Sequence, residues 1–181
     1  MLKKSKGYLE IRKRARSLGR EVVDVMMFGS FAKGRTDAPD IDVCVVFRDK
    51  IDEAVLNQLS MEGVHLSALR VDEFFLKPHA LIRSLLFEGV SLINGKTFAE
   101  NFNLEAFSLY TYQLAGLSES EKVRFVYALK GRNSEGLVSK MGGRFLAPGC
   151  FLVPGKKDAE VLDLLRAWRV KFDRQPLLLI S

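Results

Sequence analysis

Phe28-Gly29-Ser30-Phe31-Ala32-Lys33-Gly34-Arg35-Thr36-Asp37-Ala38-Pro39-Asp40-Ile41-Asp42-Val43 is the stretch whose reading decides the fold. It follows the apolar run from Val22 to Phe28 and leads into IDVCVVF, residues 41 to 47, so strand, loop, strand is expected. Side chains alternate along a strand, which puts Asp40 and Asp42 on one face while Ile41 and Val43 point into the core. Two carboxylates at one spot are unfavourable alone. They suit a hard divalent cation, which prefers oxygen ligands and brings substrate phosphates with it. Magnesium is the expected occupant, held by Asp40 and Asp42. Gly29-Ser30, just after the first strand, lets backbone approach a phosphate unobstructed and offers amide donors plus a hydroxyl. Lys33 and Arg35 lie close by in the sequence as counter-charges.

Around this segment the pattern is one of alternating elements. Tyr8, Leu9, Ile11, Ala15 and Leu18 fall near helical spacing and Gly19 is a natural stop, predicting an amphipathic first helix. Asp52 to Met61 has helical spacing in Ala54, Val55 and Leu59, and VHLSALRV, residues 64 to 71, reads as a strand. A further helix is expected beyond Pro78, through Leu81, Ile82, Leu85 and Leu86 to Gly89, with Val90 to Ile93 as a short closing strand. A second section begins near Phe102. Leu104 to Leu117 and Glu119 to Lys130 are expected as a helical pair, the latter opened by the capping-box pattern Ser118-Glu119-Ser120-Glu121. Gly- and Pro-rich sequence from Gly131 to Lys157 suggests small strands and turns, Asp158 to Trp168 a helix, and QPLLLIS a final strand.

At this point the quoted segment resembles the minimal nucleotidyltransferases of the DNA polymerase β superfamily. Their signature is an apolar residue and Gly-Ser, about ten residues, then Asp-apolar-Asp-apolar; here it reads F-G-S, nine residues, D-I-D-V. AKGR inside the segment and EGVSLING at 88 to 95 are also similar to family patterns, so the resemblance spans roughly residues 8 to 95. It implies transfer of a nucleoside monophosphate from a nucleoside triphosphate, with ATP the expected donor, to an acceptor hydroxyl under two-metal magnesium catalysis. Carried over, Gly29 and Ser30 hold the triphosphate and Asp40 and Asp42 the metals. The family places a third carboxylate on a nearby strand. In VHLSALRV the matching place holds His65, with Glu62 and Asp72 at the strand's ends as substitutes under other registers.

The expected architecture is α/β (α+β): a nucleotidyltransferase-like mixed sheet flanked by helices over residues 1–101, and a smaller α+β section over 102–181 that recognises an RNA or protein acceptor. The other reading is a catalytically degenerate module of the same fold that binds nucleotide or RNA in a regulatory role.

Composition narrows the classes. With 181 residues, 48% hydrophobic and 28% charged, the chain is neither disordered nor collagen-like. Its apolar runs fall short of the roughly 20 residues a bilayer crossing needs, and its start lacks a secretory apolar stretch, so a cytoplasmic location without membrane association is expected. Cys44 and Cys150 have no metal or disulfide spacing. The net charge of +6 is concentrated at the start, where residues 1 to 20 hold eight Lys or Arg against Glu10. That basic helix suits either phosphates or solvent. Lys130, Arg132, Lys140 and Arg144 are likewise phosphate-facing or solubilising charges, and Trp168 is read as core.

Overall fold

Both faces of the sheet in the N-terminal half are buried, and alternation along its strands decides which side chain goes to which face. The computed structural model describes residues 6–32, 40–76 and 80–180, with Phe75 by its backbone alone. The chain divides into two units, Met1–Phe102 and Asn103–Ser181.

The first unit runs α1 (Lys6–Ala15), β1 (Val22–Phe28), α2 (Gly29–Ala32), β2 (Ile41–Phe47), α3 (Glu53–Leu59), β3 (Val64–Arg70), α4 (Glu73–Leu76), α5 (Ala80–Glu88), β4 (Val90–Ser91) and α6 (Phe98–Asn101). Its mixed sheet has the order β3-β2-β1-β4. β1 is antiparallel to β2 and β4, and β2 is parallel to β3. Val25, Met27, Ile41, Val43, Val45 and Phe47 share one core with Tyr8, Ile11 and Ala15 of α1 and Val55 and Leu59 of α3. Met26, Cys44, Val46 and Leu69 share the opposite core with Ile82 and Leu85 of α5. A strand covered on both faces needs a continuous apolar run, which VCVVF supplies.

Capping and side-chain ties fix the helices. Asp52 precedes α3 and its carboxylate accepts the Ala54 N–H at 2.8 Å. Arg14 of the basic α1 donates to Gln58 O and Ser60 O at 3.1 and 3.2 Å, and Arg16 to Ile93 O at 3.0 Å. These two cations therefore fasten α1 to its own unit as well as facing solvent. Pro78 and His79, at the expected start of α5, lie outside the described residues.

The second unit runs β5 (Leu104–Gln113), α7 (Glu119–Lys130), α8 (Leu137–Lys140), β6 (Arg144–Ala147), β7 (Cys150–Pro154), α9 (Asp158–Ala167) and β8 (Lys171–Ile180). Its sheet is antiparallel in the order β6-β7-β5-β8. Tyr110, Tyr112, Phe151 and Val153 meet Phe125 and Leu129 of α7 and Val161 and Leu165 of α9 in one core.

Leu104 to Leu117 is thus not a helix. Ser108, Tyr110 and Tyr112 are buried while Glu105, Thr111 and Gln113 are exposed, the period of two expected of a strand. Aromatic and β-branched side chains favour that state, and pairing on both edges with β7 and β8 settles it. α7 does open with a capping box, in which Ser118 and Glu121 serve each other's backbone N–H. Pro176 is accommodated because β8 is at the sheet's edge, where a missing N–H breaks no second ladder.

Candidate active site

Phe28, Asp42 and His65 form one row across the sheet, since Phe28 pairs with Asp42 and Asp42 with His65. All three stand on the face that further along holds Cys44, Val46 and Leu69. There α5 covers the sheet, and Cys44 is fully buried. At Asp42 the cover stops: its side chain is 35% exposed, that of Asp40 37% and that of His65 70%. The same strand face is core at one end and open polar surface at the other.

His65 reaches both carboxylates. Its Nε2 is 3.7 Å from Asp40 Oδ2 and its Nδ1 3.8 Å from Asp42 Oδ1. These separations are too long for hydrogen bonds and suit electrostatic contact. The parallel register resolves the strand alignment: His65 is Asp42's neighbour, whereas Asp72 follows the strand and pairs with Arg70 at 3.0 Å, and Glu62 precedes it, exposed.

Gly29 ends β1 with φ of 73°, a left-handed conformation that L side chains rarely adopt. A Cβ built there would collide with Asp42 Oδ2. Bare backbone therefore lies against the carboxylate, and Ser30 follows half-buried in the single turn of α2. Behind it Phe31 is buried and stacks on Tyr8 with centroids 6.1 Å apart, anchoring the turn to α1. Lys33 and Arg35 lie outside the described residues.

The donor set decides which ion these residues suit. Two half-exposed carboxylates offer hard oxygen ligands, while among the described residues no group of three or more His, Cys, Asp or Glu side chains could hold a metal by itself. Magnesium takes oxygen ligands of this kind, from one or two carboxylates together with substrate phosphates. Asp40 and Asp42 fit such an ion.

Two further groups nearby in sequence, half-buried Asp24 and buried Cys44, lie apart from this arrangement. Asp24, on β1, accepts from Ser91 Oγ and from the Val25 N–H, each at 2.7 Å; burial outweighs these bonds and pushes its carboxyl above its ordinary value. Burial, reinforced by Glu73, pushes the Cys44 thiol up to about 12, so it is a packing group rather than a nucleophile. Ser91 ties Asp24 to the turn after β4 by accepting the N–H groups of Ile93 and Asn94 at 3.2 Å. No motif in the sequence marks this link.

Residues 9–91 match the family model of the nucleotidyltransferase domain. Among solved structures, the chain is similar to a mutant of the toxin-antitoxin pair MntA-HpeT, with 16% identity, a TM-score of 0.35, and coverage of 47% of this chain and 70% of that one. It is also similar to a protein from Sulfolobus solfataricus described as a candidate nucleotidyltransferase, with 20% identity, a TM-score of 0.30, and coverage of 50% and 90%. No curated protein matches the chain.

Proposed function

We propose that the chain, whose residues 9–91 match the family model of the nucleotidyltransferase domain, moves a nucleoside monophosphate from a nucleoside triphosphate to an acceptor hydroxyl. The observation that carries this reading is the pairing of Asp40 and Asp42, half-exposed at the open end of one sheet face, with the side-chain-free backbone of Gly29. ATP is the first donor to try, and an RNA or a protein the first acceptors. Asp40 and Asp42 would hold a magnesium ion, which would supply charge neutralisation on the triphosphate and a lower pKa for the acceptor hydroxyl.

The chain's own residues do the positioning. Gly29 lets phosphate oxygens approach backbone N–H groups, and Ser30 adds a hydroxyl donor. Lys33 and Arg35, close in sequence, contribute cations toward the same phosphates. The buried apolar strands behind Asp42 hold its carboxylate on a rigid element, which fixes the reacting groups before substrate arrives. His65 contributes an imidazole where the family pattern has an acid, so the oxygen ligands on this chain come from β2 and the residue before it.

The test is incubation of the protein with magnesium and each α-labelled nucleoside triphosphate, with total RNA or protein lysate as acceptor. Label transferred by the wild type and lost in an Asp40→Ala, Asp42→Ala double variant is expected, and the labelled species identifies the acceptor class. Triphosphate that binds in a magnesium-dependent manner but never transfers label would overturn catalysis and leave a nucleotide-binding module.

A further inference from the structure

The second unit carries a groove with a chemistry of its own. Arg124, Tyr127 and Ala128 stand at i, i+3 and i+4 along α7, on a face adjoining its buried Phe125 and Leu129. The loop from Gly131 to Gly136 turns back beside them, and Trp168 at the end of α9 completes a trough of about 550 Å³, open to solvent. Gly131 has φ of 84°, and side chains at either Gly131 or Gly136 would collide with backbone of the turn, so the loop's path is closely set.

Cations and rings interleave along this trough. The Arg124 guanidinium lies 6.0 Å from the Trp168 ring centroid, and that of Arg132 lies 5.2 Å from the Tyr127 ring. Beside it, Lys130 Nζ is 4.9 Å from the Phe145 ring. Arg124, Arg132 and Lys140 line the trough against a lone acid, Glu135. Tyr127 is 42% exposed, while Phe125 and Leu129 on the same helix are buried. Trp168 meets Phe125 edge-on with centroids 5.5 Å apart, so it forms the floor and belongs partly to the core.

We propose that this groove binds single-stranded nucleic acid, with phosphates on Arg124, Arg132 and Lys140 and a base stacked on Tyr127. Three features of the groove favour this occupant. Its cations come from three successive elements, α7, the following loop and α8, along one open trough, which suits a chain of phosphates. Its planar rings and guanidinium groups offer faces that unpaired bases can enter and that a duplex, with its bases already stacked, cannot use. An acidic polypeptide would use the cations and draw Arg132 from the Tyr127 ring without supplying a planar group in its place. All the residues of this site belong to the second unit, and binding there needs neither triphosphate nor metal.

The test uses the full chain in EDTA without nucleotide. Fluorescence anisotropy follows binding of labelled single-stranded RNA and DNA oligonucleotides of one mixed sequence, and of the matching duplexes. Single strands are expected to bind more tightly than duplexes, and the tighter of the RNA and DNA arms names the sugar. Tyr127→Ala should weaken binding about tenfold while Tyr127→Phe keeps it, because stacking needs the ring and not the hydroxyl. Arg132→Ala should lower the slope of log affinity against log salt by about one. Circular dichroism checks that each variant is folded. Duplex binding as tight as single-strand binding, wild-type affinity in folded Tyr127→Ala and Arg132→Ala, or equal competition by polyglutamate would each overturn the proposal.

Discussion

The carboxylate of Asp42 occupies the space into which a side chain at Gly29 would project. The two residues are 13 apart in sequence but are brought together because β1 and β2 pair antiparallel, with Phe28 opposite Asp42. Glycine at this position therefore meets two demands, a positive φ and room for an acid.

Gly29→Ala is expected to fail on both counts. The left-handed backbone and the collision together should cost about 1 to 2 kcal/mol of stability, measured by urea unfolding. Displacement of Asp42 should lower nucleotidyl transfer further than the stability loss explains. Wild-type transfer by folded Gly29→Ala protein would show that Asp42 need not stay where the structure has it.

His65→Asp places a third carboxylate beside Asp42 on the same sheet face. Without metal, three like charges at one site should lower the melting temperature. With magnesium or manganese the order should reverse, with cation affinity about tenfold above wild type by calorimetry, because hard cations gain from each added oxygen ligand. An unchanged cation affinity would mean that residue 65 does not face the ion.

Asp24→Asn tests a half-buried acid away from the site. Its native carboxyl titrates above its ordinary value chiefly because of burial, so the folded state binds this proton more readily than the unfolded state. Stability is therefore lowered once pH rises above the native pKa, and the penalty vanishes as pH falls through it. Asparagine can still accept from Ser91 and Val25, so the variant should be more stable than wild type at pH 7, with the difference closing in acid. Equal melting temperatures at both pH values would argue against a burial penalty.

Asp158 has the opposite sign. It is only 6% exposed and, despite burial, its carboxyl is held below the ordinary 3.8 by hydrogen bonds from Ser108, Tyr110 and Arg174; Tyr110 Oη and Arg174 Nε each lie 2.6 Å away. The unfolded state binds this proton more readily, so the contribution is present above 3.8 and is lost as pH falls through the lower native pKa. Asp158→Ala should cost about 2 kcal/mol at pH 7 and shrink in effect on acidification, followed by denaturation at several pH values. A loss independent of pH would assign the effect to packing instead of charge.

Legibility in the sequence was uneven, and for a physical reason. The F-G-S and D-I-D-V halves lie in one local strand-turn-strand unit, where alternation alone puts Asp40 and Asp42 on one side. Leu104 to Gln113 carries apolar residues that also suit helical spacing, and its partners are β7 and β8, which begin 46 and 67 residues after Leu104. The loop after α7 and Trp168 come to line one groove with Tyr127 only through packing of segments distant in the chain.

The sequence by itself determined the paired acids, the glycine turn ahead of them and the capping box that opens α7, because these follow from dihedral preference, alternation and side chains a few residues apart. Tertiary structure alone decided that His65 stands beside Asp42, that Gly29 yields its side-chain space to Asp42, that β5 is a strand, and that cations and rings of the second unit line one groove. Each of those depends on register or packing between segments distant in the chain, where pairing on a sheet and burial outweigh the weaker local preferences.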